Sequence, residues 1–250
     1  MKSMSPFRCA MALAAVLVGG AMSPSPAMAQ IYIMESTVAA VRVGSALDMG
    51  AALSVPAGNH IRAVLPSGKT QTIKGPYNGT VADLAKGQPI NDGVMAWIQS
   101  VLRTGGATEA TTGATRSIGR PPPERPRAAF SWSAIPAADG TVCIEKGAKL
   151  QLVRAASANA ERAVIVDAGN AQQAVAQWEA GSDTADWPAD MAPRPDAIYY
   201  VLVPDRPRRQ ITLRVLEKLP AEDNILVELH RLGCSSQFAA WVGAKLAAGR

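Results

Sequence analysis

His230 and Cys234 carry the most reactive side-chain chemistry in the chain, and they stand four residues apart. On an unbroken helix that spacing puts both on one face. A thiol beside an imidazole would serve as nucleophile and base, or as half of a metal site. That pairing would make the chain a hydrolase or a thiol enzyme. Against it stands Gly233, a residue that ends helices, between the two. The only other histidine, His60, lies far away in sequence.

Cysteine arithmetic gives a competing fate for the sulfur. Cys9 falls in an N-terminal leader described below, which leaves Cys143 and Cys234. In an oxidising compartment two cysteines most simply form one disulfide. A bridge closing a loop of about 90 residues stabilises by roughly 4–5 kcal/mol in the chain-entropy account. The alternative is two buried thiols acting as small apolar groups.

Other patterns have structural readings beside their chemical ones. Ala63 to Thr70, with Gly68-Lys69-Thr70, resembles a relaxed phosphate-binding loop. That chemistry needs a helix after the loop, whereas a β pattern follows here, so a hairpin turn is expected. The carboxylate pairs Asp183/Asp186 and Glu222/Asp223 would suit acid–base work. They fall in a loop and at a helix start, where acids are ordinary solvated residues. Trp132, Trp178 and Trp187 are possible ligand contacts, since indoles stack on sugar rings, and they also fit a sandwich core. No cofactor, metal or catalytic residue is expected.

The elements that must hold these residues are mainly strands. Residues 30–103 read as a β-rich unit closed by one helix. Ile31 to Met34 starts a strand, and Val38 to Val43 continues it or forms the next. Pro66-Ser67-Gly68-Lys69 turns a hairpin. Asn91 or Asp92 caps a helix with Val94, Trp97, Ile98, Val101 and Leu102 on one face. Residues 104–128 are small, polar and proline-rich, a linker composition. Residues 129–250 read as a β-sandwich-like domain, with a hairpin around Pro204 to Pro207 and a terminal helical hairpin cornered at Cys234. The expected class is α+β, mainly β.

Residues 1–29 have the form of a secretory leader. Lys2 and Arg8 give a positive start, Ala10 to Ala21 a short apolar run, and Ala27 and Ala29 a cleavage signal before Gln30. The run is too short for a stable membrane span, which needs about 20 residues. The expected location is periplasmic or secreted. Apolar residues make up 48% and charged residues 18%, a globular composition. Removing Lys2 and Arg8 with the leader lowers the net charge from +5 to +3, too mild for a nucleic-acid footprint.

Gly50-Ala-Ala-Leu53-Ser-Val55-Pro56-Ala-Gly58, then Ile61 to Gly68 and Gly75-Pro76-Tyr77, resembles the FecR-like periplasmic domain. Phe130-Ser-Trp132 is similar to the start of sandwich modules that accompany such domains. The resemblance covers about 40 residues. It implies an accessory or sensor protein that binds other envelope proteins. The cleavable leader, in place of a cytoplasmic segment and membrane helix, departs from the signalling members. The sequence thus points to a non-catalytic binding or scaffolding module whose partner is an envelope protein or a cell-wall polymer.

Overall fold

The computed structural model describes residues 30–104, 129–155 and 157–248. The leader and its cleavage residues Ala27 and Ala29, and most of the expected linker, lie outside them. The fold is α+β and mainly β, built on four sheets and a helical layer.

The first unit starts with β1 (Gln30–Ser36), β2 (Ala46–Asp48), β3 (Ala52–Val55), β4 (His60–Val64), β5 (Thr70–Lys74) and β6 (Tyr77–Thr80). One antiparallel sheet runs β2-β1-β4-β5, and β3 pairs with β6 in a two-stranded sheet. The unbroken apolar run in β1 has a direct cause. Ile31 and Ile33 enter the core between these sheets, while Tyr32 and Met34 enter a second core shared with helices. A strand covered on both faces needs no polar alternation. Residues Val38 to Val43 form a turn-rich loop rather than a strand. Val41 donates to the Val38 carbonyl, the Ser45 hydroxyl donates to the Arg42 carbonyl, and Gly44 takes a positive φ.

Helix α1 (Val81–Ala85) follows β6, and α2 (Asp92–Arg103) closes the unit. Asn91 caps α2, its side-chain oxygen accepting from the Val94 N–H at 3.1 Å. Val94, Met95, Ile98 and Val101 form the buried face.

The second unit comprises β7 (Ala134–Pro136), β8 (Gly140–Glu145), β9 (Gln151–Val153), β10 (Glu161–Asp167), β11 (Gln173–Trp178), β12 (Thr184–Asp186), β13 (Ile198–Leu202) and β14 (Arg209–Leu216). A five-stranded sheet in the order β11-β10-β13-β14-β8 packs over a three-stranded sheet, β12-β9-β7. The β13–β14 hairpin turns at Pro204 to Pro207 as the sequence predicts.

After a 3-10 turn at Glu222–Asn224, α3 (Ile225–Leu232) and α4 (Ser235–Ala248) form the terminal hairpin. Gly233 ends α3 at φ 76°, the left-handed conformation a glycine adopts without penalty. The hairpin joins α2 in one layer. Its core gathers Tyr32, Met34 and Val64 from the first unit with Leu226, Leu229, Phe238 and Val242. Glu222 pins the same junction, pairing with Arg62 of β4 at 2.6 Å and Lys245 of α4 at 3.4 Å. Burial disfavours the charged Glu222 carboxylate, but Arg62 and Lys245 outweigh it and hold its pKa below the ordinary value. Among the described residues no helix is long and apolar enough to cross a membrane.

Candidate functional site

Cys143 and Cys234 are joined in a disulfide, with Cα atoms 5.9 Å apart. Cys143 lies on the outer face of β8, and Cys234 sits at the corner between α3 and α4. The sulfur that would act as a nucleophile is therefore bonded. His230, on the last turn of α3, packs on α2. Its ring meets Trp97 edge-on at 4.7 Å. A Cβ at Gly93 would come 2.6 Å from its Cε1 and Nε2 atoms, so only glycine admits the ring there. His230 is thus a packing residue of the helical layer.

The same corner holds a second clamp. Gln237 of α4 is buried, and its side-chain amide reads the edge of β8 as a neighbouring strand would. Its Oε1 accepts the Cys143 N–H at 2.7 Å, and its Nε2 donates to the Cys143 carbonyl at 2.7 Å and to the Ser131 carbonyl at 2.8 Å. Two residues on, Glu145 donates its N–H to the Trp132 carbonyl. No sequence pattern marks this role for Gln237, because it depends on which strand edge the helix meets.

The three tryptophans divide. Trp178 is fully buried, its indole N–H donating to the Leu152 carbonyl at 3.1 Å. Trp187 is buried too and donates to the Met191 carbonyl. Both lie in the sandwich core, the second of the two readings their sequence allows. Trp132 is half-buried against the helical layer, with Phe130 edge-on to it at 5.0 Å.

The loop at Leu65 to Lys69 is a hairpin turn, closed by the Gly68 N–H to the Leu65 carbonyl at 2.8 Å and followed by β5. Gly68 has φ +83°, and a Cβ there would stand 2.8 Å from Val94, so the turn is wedged under α2. No phosphate cradle remains. Among the carboxylates, Asp186 pairs with Lys149 at 3.0 Å, and Glu222 holds the junction described above.

Two ion clusters bind loops to the sandwich. Arg154, nearly buried over the Trp178 ring, meets Glu161, which also takes Arg206 at 2.6 Å. Asp167, buried at the end of β10, accepts bidentate donation from Arg194 and the Gly169 N–H at 2.8 Å. The Arg194 hydrogen bonds hold the Asp167 carboxyl below its ordinary pKa despite burial. Open depressions of about 520 Å³ and about 280 Å³ lie along the Ser36 to Val43 loop and beside Arg194. Among the described residues, no group of three or more His, Cys, Asp or Glu side chains is placed to hold a metal.

Comparison with protein-family profiles, curated proteins and solved structures finds no match for this chain.

What the structure leaves open is a face. Among the described residues, the outer side of the five-stranded sheet is covered by the helical layer at its β8 end and left open at the other. At the other end Val175, Val164 and Leu202 stand directly opposite one another across β11, β10 and β13. They are 47%, 37% and 39% exposed. Ile198 is exposed beside them, Val166 and Tyr200 are half-exposed, and Arg208 lies over the Tyr200 ring at 4.3 Å. Arg162 stands exposed at the end of the patch. A sequence signal for this face did exist. Ala163 to Val166 and Ile198 to Leu202 are apolar at consecutive positions, the pattern of strands with both faces covered. The described residues supply no cover.

Proposed function

We propose that the chain is an exported, non-catalytic binding or scaffolding protein of the bacterial envelope, and that it holds a protein partner against the open face of its five-stranded sheet. The observation that carries this reading is the row Val175–Val164–Leu202 with Tyr200 and Arg208 beside it. Apolar side chains clustered on an exposed sheet face mark contact surfaces more often than scattered ones do, and Tyr and Arg are the residues enriched where proteins bind one another. A protein partner is favoured over a cell-wall polymer, because two of the three indoles that would stack on sugar are enclosed. The leader-like first 29 residues and the FecR-like turn pattern between Gly50 and Tyr77 support the envelope setting. The disulfide supports an oxidising one.

The test is crosslinking in intact cells from a photoreactive residue at position 202, followed by identification of what is captured. A discrete envelope protein, lost when Val164→Asp is combined with the probe, is the expected result. Capture unchanged by that substitution, or none from position 202, would remove this face from the reading.

A further inference from the structure

The edge of β11 is built differently from the other strand edges. Asp167 donates its N–H to the carbonyl of Gln172, the residue directly opposite it. Bonded and unbonded pairs alternate along an antiparallel ladder. Ala174, Ala176 and Trp178 therefore bond to β10, and the N–H and C=O groups of Gln173, Val175 and Gln177 point outward. Proteins usually blunt such edges with short strands, charge, proline or a cover. Here β2, β7 and β12 have three residues each, and they contain Asp48, Pro136 and Asp186. β5 ends in Lys74, β3 and β6 adjoin Pro56 and Pro76, and β8 is covered by Gln237. β11 is six residues long, and Asn170 to Trp178 carries no charge and no proline.

Its sequence is also a palindrome. Gln173-Ala174-Val175-Ala176-Gln177 reads the same in both directions. We propose that β11 pairs antiparallel with β11 of a second copy, about a two-fold axis at Val175. In that register each outward residue meets its own kind. Val175 faces Val175 of the copy in a bonded pair, and Gln173 faces Gln177, so every outward N–H and C=O finds a partner. The apolar row then runs unbroken across the axis, from Leu202 through Val164 and Val175 to their copies, spanning about 24 Å at the usual strand spacing. Charge does not oppose the arrangement. The nearest cation on this face, Arg162, lies about 20 Å from its copy, three strand spacings and four residues away. That exceeds the screening length of about 8 Å in physiological salt. A two-fold contact of this kind closes on itself and stops at the dimer.

The experiment uses the full chain with Cys9→Ser, the native disulfide intact, followed by sedimentation velocity over a range of concentrations. The mass should rise toward twice the monomer. Val175→Lys, which changes only an exposed side chain, should weaken association by roughly tenfold or more by placing like charges at the axis. Its thermal melt, taken at a dilution where the parent is also monomeric, should stay that of the parent. Val175→Cys should crosslink on mild oxidation, because the paired Cα atoms would lie about 5.5 Å apart, within disulfide range. Gln173→Cys should not, since its copy sits four residues away along the strand. A parent that stays monomeric throughout, a dimer untouched by Val175→Lys, or equal crosslinking at 173 and 175 would each overturn the proposal. The partner reading is tested separately from position 202, so either can fail alone.

Discussion

The five-stranded sheet has two edges, and they have opposite fates. At β8 the outward backbone groups of Cys143 are taken by the Gln237 amide, Glu145 bonds to Trp132, and the disulfide fastens the strand to the helical corner. At β11 the outward groups of Gln173, Val175 and Gln177 have no partner among the described residues, and the side chains there are exposed. One edge joins the two β units through a shared helical layer. The other faces outward. A sheet closed at both ends would be only a structural core. Closed at one end, it is a rigid platform whose free end is held in a fixed position, which suits a module that works by contact.

The contrast is most directly broken at the sulfurs. Reducing the disulfide, or replacing Cys143 and Cys234 with serine, should cost about 4–5 kcal/mol, given the 91-residue separation. Denaturant unfolding with and without reductant measures this, and an unchanged midpoint would mean that the helical layer holds β8 without the bridge. The next effect is smaller and compares the edges directly. Gln237→Leu leaves a buried N–H and two carbonyls unpaired, a loss of about 2–4 kcal/mol. Gln177→Leu on the exposed edge should change stability by less than about 0.5 kcal/mol. Equal losses from the two substitutions would erase the distinction drawn between the edges.

These same residues show what could be read before the structure. Most of the strand and turn pattern, a cap at Asn91 or Asp92, the Gly233 stop and the Cys143–Cys234 bridge follow from local chemistry or simple counting, and the structure has them, with Asn91 as the cap. The loop at Val38 to Val43 was harder. Its valines suit a strand, but the turn hydrogen bonds around Arg42 and Gly44 decide its path. Trp178 and Trp187 illustrate a different limit. An indole on a strand, as Trp178 is, or just past one, as Trp187 is, is equally at home in a core or at a surface, and only the packing around it decides. Gln237 was illegible for the same reason, since a glutamine that imitates a strand is recognisable only once the strand beside it is known. The face around Leu202 was visible as a run of apolar residues, but the run signals only that both faces are suited to burial, not whether the second is filled.

The smallest effect separates the edges by pH. The β8 clamp is made of amides and a disulfide, which do not titrate. The hairpin that carries β11 is instead tied at its turn by Asp167, which accepts from Arg194 and from the Gly169 N–H. Because the folded Asp167 pKa is lowered, its contribution is fully present above the unfolded value of about 4 and is lost as the pH falls through the folded value. Acid should therefore loosen the β10–β11 turn, while the Gln237 amide and the disulfide at Cys143 have no titrating group to lose. Hydrogen exchange at falling pH, corrected for intrinsic rates, should show the Ala171 amide losing protection while the Cys143 amide keeps it. Asp167→Asn should remove that pH dependence and leave the turn equally loose at neutral pH. If both amides lost protection together, the edges would belong to one cooperative unit, and the free end would be no more independent than the fastened one.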